Sequence, residues 1–166
     1  VDVKVTAQIR YANADPVTTF AMLLDQEFQE EVCRATGAVS HEVSVDQAAG
    51  GATIRSSREL PTDDFPDFIK TFVGDTVQVV RVDQWGAAAA DGSRDGTIVV
   101  EIKGAPVRLN GSITMRPDGA GTAESVQGDL KASVPLLGGK VERAVEPSIR
   151  AAVAKEEEVG GRWLAR

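Results

Sequence analysis

The last part of the chain, residues 138–166, constrains the fold most, because it has the pattern of a long amphipathic helix. Apolar side chains recur there at steps of three and four residues and so share one face. These positions are Val141, Val145, Ile149, Ala152, Val153, Val159 and Trp163. Such a helix is marginally stable alone and needs a surface that covers its apolar stripe. Pro147 lies inside it, and we expect a kink or a short break there.

The preceding residues supply such a surface, because many of them alternate between apolar and polar side chains, as half-buried strands do. The alternation predicts strands over residues 1–11, 38–47, 52–60, 76–90, 95–103, 107–116 and 121–135. Turn residues between them, such as Asp91 and Gly92, are typical of hairpins. We therefore predict an α+β fold in one domain, residues 1–166, in which a curved, seven-stranded antiparallel sheet wraps around the long C-terminal helix.

Three shorter segments have helical spacing. Asp15 and Pro16 are typical of a helix N-terminus, and residues 26–36 predict a second short helix; the sequence leaves open whether the two are continuous. Residues 61–75 interrupt the strands with a cluster of apolar residues at helical spacing. This cluster contains Phe65, Phe68, Ile69 and Phe72. It either plugs one end of the core or forms a lid over a cavity.

Charge and composition exclude several classes of partner. The net charge of −7 argues against general binding to nucleic acid or to anionic membranes, which would repel the chain. No stretch approaches the roughly 20 apolar residues of a membrane span. The single Cys33 cannot form an intrachain disulfide, and the N-terminus lacks the pattern of a signal peptide. We expect a cytoplasmic protein without stable membrane insertion; its oligomeric state is not predicted.

Candidate polar groups are few, and no specific catalytic or metal-binding set is present, so neither a cofactor nor a metal is predicted. His41 shares the inward phase of its strand, either as a hydrogen-bonded core residue or as a polar anchor or acid–base group in a pocket. Arg58 is also in the inward phase. It either reaches water, pairs with a carboxylate or anchors a ligand, and Glu124 is the complementary acidic candidate.

The fourth strand has an ambiguous phase. Val77 shares a phase with Arg81, Asp83 and Trp85, whereas Val80 takes the opposite one. A bulge that switches the phase is one explanation, and it leaves the direction of Trp85 open, between core residue and ligand platform.

Several segments together match a known family pattern. Residues 14–17 with Phe20 look like its entry from the first strand into a helix. Further recurring patterns are matched by residues 60–61, 68–70 and 72–75 followed by Trp85, and by residues 134–142. The chain resembles the START-like (SRPBCC) superfamily, whose helix-grip fold is shared by polyketide cyclases, pollen-allergen-type proteins and lipid-transfer domains. Within it, the chain is most similar to the branch known as domain of unknown function 2505. The resemblance implies an apolar cavity between the sheet and the final helix.

The leading functional prediction is binding or transport of a small hydrophobic or amphipathic ligand, such as a lipid, an isoprenoid or a polyketide-like molecule. One alternative is a cyclase- or dehydratase-type enzyme that uses His41 with Arg58, Glu124 or Asp83 as acid–base groups. A third is a protein-interaction module with a vestigial pocket. The candidates for lining the cavity are His41, Arg58, Phe68, Phe72, Trp85, Leu109, Ile113, Val145 and Ile149.

Overall fold

The structure, a computed structural model, describes residues 3–166, and these form a seven-stranded antiparallel sheet and four helices. The strands are β1 (Val3–Tyr11), β2 (Ser40–Ala48), β3 (Gly51–Pro61), β4 (Thr76–Trp85), β5 (Arg94–Lys103), β6 (Val107–Asp118) and β7 (Gly121–Ala132). The helices are α1 (Pro16–Leu23), α2 (Gln26–Ala35), α3 (Asp67–Val73) and α4 (Gly138–Leu164). The predicted α+β architecture is confirmed; residues 1 and 2 of the predicted first strand lie outside the described part.

Strands β2 to β7 form a meander, and β1 is added beside β7. The strand order is β1-β7-β6-β5-β4-β3-β2, so β1 pairs with β7, and β1 and β2 form the two edges. In the middle of β6 and β7, Gly111 lies opposite Gly128 on the inward face. A Cβ at Gly111 would overlap the backbone of β7. Glycine at such positions lets a sheet bend sharply, which gives this one the curvature to wrap a helix.

Helix α4 packs across the concave face, against β1, β7 and α2. Its start is tied to the end of β7, because the buried Glu142 carboxylate accepts a hydrogen bond from the backbone N–H of Ala132 at 2.8 Å. The break expected at Pro147 is absent, since the helix continues through this residue. Pro147 is exposed, while Val145 before it and Val159 after it are buried. Packing on both sides of the proline offsets the lost backbone hydrogen bond.

Local hydrogen bonds settle whether the first two helices are continuous, and the fourth strand is shorter than predicted. Helices α1 and α2 are separate, because the Asp25 carboxylate accepts from the backbone N–H groups of Glu27 and Phe28 and so starts α2. Strand β4 ends at Trp85 and does not reach residue 90 as predicted. In the loop that follows, the Asp91 carboxylate accepts a hydrogen bond from the backbone N–H of Ser93 at 2.9 Å. No helix within residues 3–166 is long and apolar enough to span a bilayer.

Strand β4 contains no bulge, because its register with β3 and with β5 is continuous. Arg81, Asp83 and Trp85 therefore face the same, concave side. The charged pair is accommodated there because the two side chains bond to each other, as described below.

The core consists of two clusters of buried side chains. The packed end, as we call the larger one, joins α1, α2 and the C-terminal part of α4 to one end of the sheet; it includes Ile9, Tyr11, Phe20, Leu23, Phe28, Trp85, Ile113, Met115 and Val159. The second cluster joins the N-terminal part of α4 and α3 to the other end; it includes Val5, Ile69, Val107, Leu109, Leu130, Val141 and Val145.

Candidate functional site

A cavity of about 480 Å³ lies between the sheet and the middle of α4. The cavity is lined by side chains of both core clusters, Ile98 and Val126 of the packed end and Leu109 and Val145 of the second cluster. It therefore lies between the two parts of the core. Most of the lining is aliphatic. The apolar lining residues are Ala35, Leu60, Pro61, Phe65, Val79, Ile98, Val100, Ile102, Val107, Leu109, Val126, Leu130, Val145, Ile149, Ala151, Ala152 and Val153.

The polar lining is confined to a few side chains. Thr36, Arg58, Asp64, Arg81, Ser148 and Lys155 contribute to the wall, together with Gly37. Lys155 reaches Glu158 at 3.4 Å on the same helix. The two arginines come from the neighbouring strands β3 and β4, and their electrostatic surroundings differ.

Arg58 is buried, with 7% of its surface exposed, and it lies opposite Val79 in the sheet. Its Nη1 donates a hydrogen bond to the Thr36 hydroxyl at 3.0 Å, and that hydroxyl donates to the carbonyl of Cys33 at 2.8 Å. Its Nε has no hydrogen-bond partner. Among the described residues, no carboxylate forms a salt bridge with Arg58. Burial lowers the pKa of this guanidinium, which is the effect expected for a cation without a counter-ion.

Arg81 is held by two carboxylates. Its Nε and Nη2 donate to Asp83 at 2.9 and 2.7 Å, and its Nη1 donates to Glu156 of α4 at 2.9 Å. Burial acts to lower the pKa of Arg81, but the charges of Asp83 and then Glu156 raise it well above its ordinary value. The three side chains thus form an ion cluster that ties β4 to α4.

Glu124 and Tyr11 lie near this ion cluster and do not line the cavity. Glu124 is 1% exposed, and its Oε2 has no partner. Burial and, second, the charge of Glu156 raise the pKa of Glu124 well above its ordinary value. Burial likewise raises the pKa of Tyr11, whose hydroxyl has no partner. These groups belong to the packed end.

Four residues that the sequence proposed for the cavity wall lie there: Arg58, Leu109, Val145 and Ile149. His41 does not, although it occupies the inward phase of β2. Its strand is the sheet edge that α2 contacts, and His41 Nε2 lies 3.5 Å from the Glu30 carboxylate of that helix.

The remaining candidates also lie outside the wall. Trp85 packs edge-on against Phe20 in the packed end, with ring centres 6.0 Å apart, and Ile113 is fully buried in the same cluster. Phe68 lies 4.3 Å below the Lys140 ammonium, measured to the ring centre. Phe72 borders a separate apolar pocket of about 20 Å³ beside α3. Strand phase predicts the face of the sheet on which a residue lies, but not which part of that face is covered by a helix.

Sequence reasoning missed Thr36, Val100 and Arg81 as wall residues. The phase of Val100 was readable from the alternation in β5. Arg81 was obscured by the ambiguous phase of β4, and Thr36, just after the last residue of α2, carries no periodic signal. In the described part of the chain, no three His, Cys, Asp or Glu side chains form a group that could hold a metal ion.

Comparisons with known proteins agree with this architecture. A family model described as "Protein of unknown function (DUF2505)" matches residues 6–164. No curated protein matches the sequence. Among solved structures, TTHA0849 from Thermus thermophilus is 18% identical, with a TM-score of 0.62, over 95% of this chain and 97% of that one.

Two further solved structures carry STAR-related names. Human STARD10 is 8% identical with a TM-score of 0.62; the match covers 98% of this chain but only 64% of the STARD10 chain. A STAR-related lipid transfer protein fragment from Xanthomonas axonopodis is 16% identical with a TM-score of 0.53, over 93% of this chain and 84% of that one. At these identities the likeness establishes the START-like, helix-grip fold.

Proposed function

This chain belongs to the DUF2505 family, and we propose that it binds a small hydrophobic or amphipathic molecule between the sheet and α4. The observation that carries the proposal is the aliphatic cavity of about 480 Å³. Sites for small molecules typically measure about 300–1,000 Å³ and have apolar walls with a few polar groups. Protein interiors otherwise contain few voids larger than a water molecule, so a cavity of this size calls for an occupant.

The name of one structural relative, a lipid transfer protein, supports the apolar class of ligand. The placement of the acid–base candidates favours binding over catalysis. Of His41, Arg58, Asp83 and Glu124, only Arg58 lines the cavity. Asp83 is engaged by Arg81, and His41 faces Glu30 instead. A general acid or base must lie within hydrogen-bond reach of its substrate, and no two of these four candidates line the cavity.

Native mass spectrometry of the purified protein before and after organic extraction tests the proposal. We expect a co-purifying small molecule that extraction removes. The emptied protein is then titrated with Nile red, an uncharged apolar dye whose fluorescence rises in apolar surroundings. Saturable binding with one dye per chain supports the proposal. Absence of both a co-purifying molecule and dye binding would refute it.

Substitution of two alanines of α4 tests whether the dye binds in the cavity. Ala152 lines the cavity, whereas Ala154 is exposed on the same helix. Ala152→Phe fills part of the cavity and should weaken Nile red binding roughly 5- to 150-fold, since a clash of this size costs about 1–3 kcal/mol. Ala154→Phe should leave binding unchanged. Circular dichroism and thermal unfolding of both variants check that the fold is retained.

A further inference from the structure

The two arginines in the cavity wall differ in how their charge is neutralised. Arg81 has Asp83 and Glu156 within 2.9 Å, whereas no carboxylate of the described chain forms a salt bridge with Arg58. Arg58 is nevertheless more than nine-tenths buried. A buried charge is unfavourable unless it is paired and hydrogen-bonded, so an anion bound next to Arg58 would stabilise it.

The local geometry holds the Arg58 guanidinium in place. Because the Thr36 hydroxyl gives its own hydrogen to the Cys33 carbonyl, it accepts from Arg58 Nη1, and this contact fixes one edge of the guanidinium. Nε is itself buried and has no hydrogen-bond partner, so the chain leaves part of the guanidinium unsatisfied. A planar guanidinium binds carboxylate and phosphate oxygens through paired N–H groups.

The nearby acidic side chains do not serve as the counter-ion of Arg58. Asp64 lines the cavity but is exposed and forms no salt bridge with Arg58 among the described residues. Glu30, on the neighbouring helix, faces His41. Beyond Arg58, the wall continues as aliphatic side chains of β5, β6 and β7, which include Val100, Leu109 and Leu130.

We propose that the occupant of the cavity is an amphipathic anion whose carboxylate or phosphate head pairs with Arg58 while its apolar tail lies against the aliphatic wall. This inference rests on the proposed function and adds the charge and polarity of the ligand. The head group of the ligand would supply the counter-ion that Arg58 lacks, and Thr36 would orient the guanidinium toward it.

The test compares two fluorescent probes with the same dansyl group and alkyl chain, dansylundecanoic acid, which is an anion, and its uncharged methyl ester. We expect the purified, extracted protein to bind the acid roughly 10- to 100-fold more tightly than the ester, the range for a charge-assisted hydrogen bond. In Arg58→Gln the two probes should bind with similar affinity. Arg58→Lys keeps the charge without the planar fork and should retain part of the preference. Arg55→Gln is the matched control, because Arg55 is exposed on the same strand, and it should keep the full preference.

The outcomes separate this inference from the proposed function. Equal binding of acid and ester by the wild-type protein overturns the anion inference and leaves the apolar cavity standing; this comparison does not depend on any variant folding. Failure of both probes and of Nile red to bind overturns both proposals. Retention of the full acid preference in a folded Arg58→Gln variant would assign the head group to another residue and overturns the inference.

Competition identifies the head group. Myristate, lysophosphatidic acid and myristyl alcohol are each used to displace the dansyl acid. A carboxylate site favours myristate, and a phosphate site favours lysophosphatidic acid; either result supports the inference. If the alcohol displaces the probe as well as both anions do, the inference is wrong.

Discussion

Arg58 and Arg81 both lie on the concave face of the sheet, on adjacent strands, but they belong to regions built in different ways. Arg81 also borders the cavity, but its guanidinium is held by two carboxylates, those of Asp83 and of Glu156 on α4. Around Arg58, the chain provides one hydroxyl and an open cavity. The same residue type thus holds the fold together in one region and remains available in the other. The difference lies in the partners and not in burial, since both side chains are largely withdrawn from solvent.

Replacing each arginine by methionine, which has a similar length, should separate the two roles most strongly. Arg81→Met leaves Asp83 and Glu156 buried without a cation and should lower the free energy of unfolding by about 3–5 kcal/mol. Arg58→Met strands no carboxylate and should change it by less than about 1 kcal/mol. Urea denaturation measures both. Equal losses in the two variants would contradict the distinction between the regions.

Two adjacent glycines of α4 test how tightly the packed end is filled. Gly160 lies against the Tyr11 ring, which a Cβ would overlap, whereas a Cβ at Gly161 would meet open space. Gly160→Ala should therefore lower the free energy of unfolding by about 1–3 kcal/mol. Gly161→Ala should raise it by up to about 1 kcal/mol, because alanine favours the helix. If both substitutions stabilise the protein, α4 is not seated on Tyr11 as described.

Glu124 gives the packed end a pH dependence. Its pKa in the folded protein is raised well above the ordinary 4.5. Between these two values the folded state holds one proton more than the unfolded chain, so stability falls as pH rises, by up to about 1.4 kcal/mol per pH unit. Glu124→Gln carries no titrating proton and should gain stability relative to the wild type as the pH rises above about 5. Urea midpoints at several pH values measure this difference, and a constant difference would show that Glu124 is ionised in the fold.

The fold was predictable because its two main signals are local and long. Alternation along seven segments identified the strands, and a stripe at three- and four-residue steps identified α4. The ion cluster was not predictable, because Glu156 meets Arg81 across 75 residues of sequence, which no periodicity encodes. Without that partner, the inward charges of β4 suggested a bulge.

The site was predictable only in part, because it also depends on contacts between residues that are distant in sequence. The alternation of the strands correctly placed His41 and Arg58 on the inward face, but their contacts differ. His41 pairs with Glu30 of α2, whereas Arg58 donates a hydrogen bond to Thr36 beside the cavity. Which of two inward residues reaches a cavity depends on how a helix is docked over the strand, and that is a tertiary property.

Methyl-resolved NMR during a titration with dansylundecanoic acid reports on both regions in one experiment and so shows whether the ligand lies between the sheet and α4. We expect the largest chemical-shift changes at cavity methyls, such as those of Val100, Leu109 and Ile149, and little change at the packed end, for example at Ile9, Leu23 and Val159. Changes confined to exposed residues such as Val17 and Val39, with the cavity methyls unaffected, would contradict a ligand site between the sheet and α4.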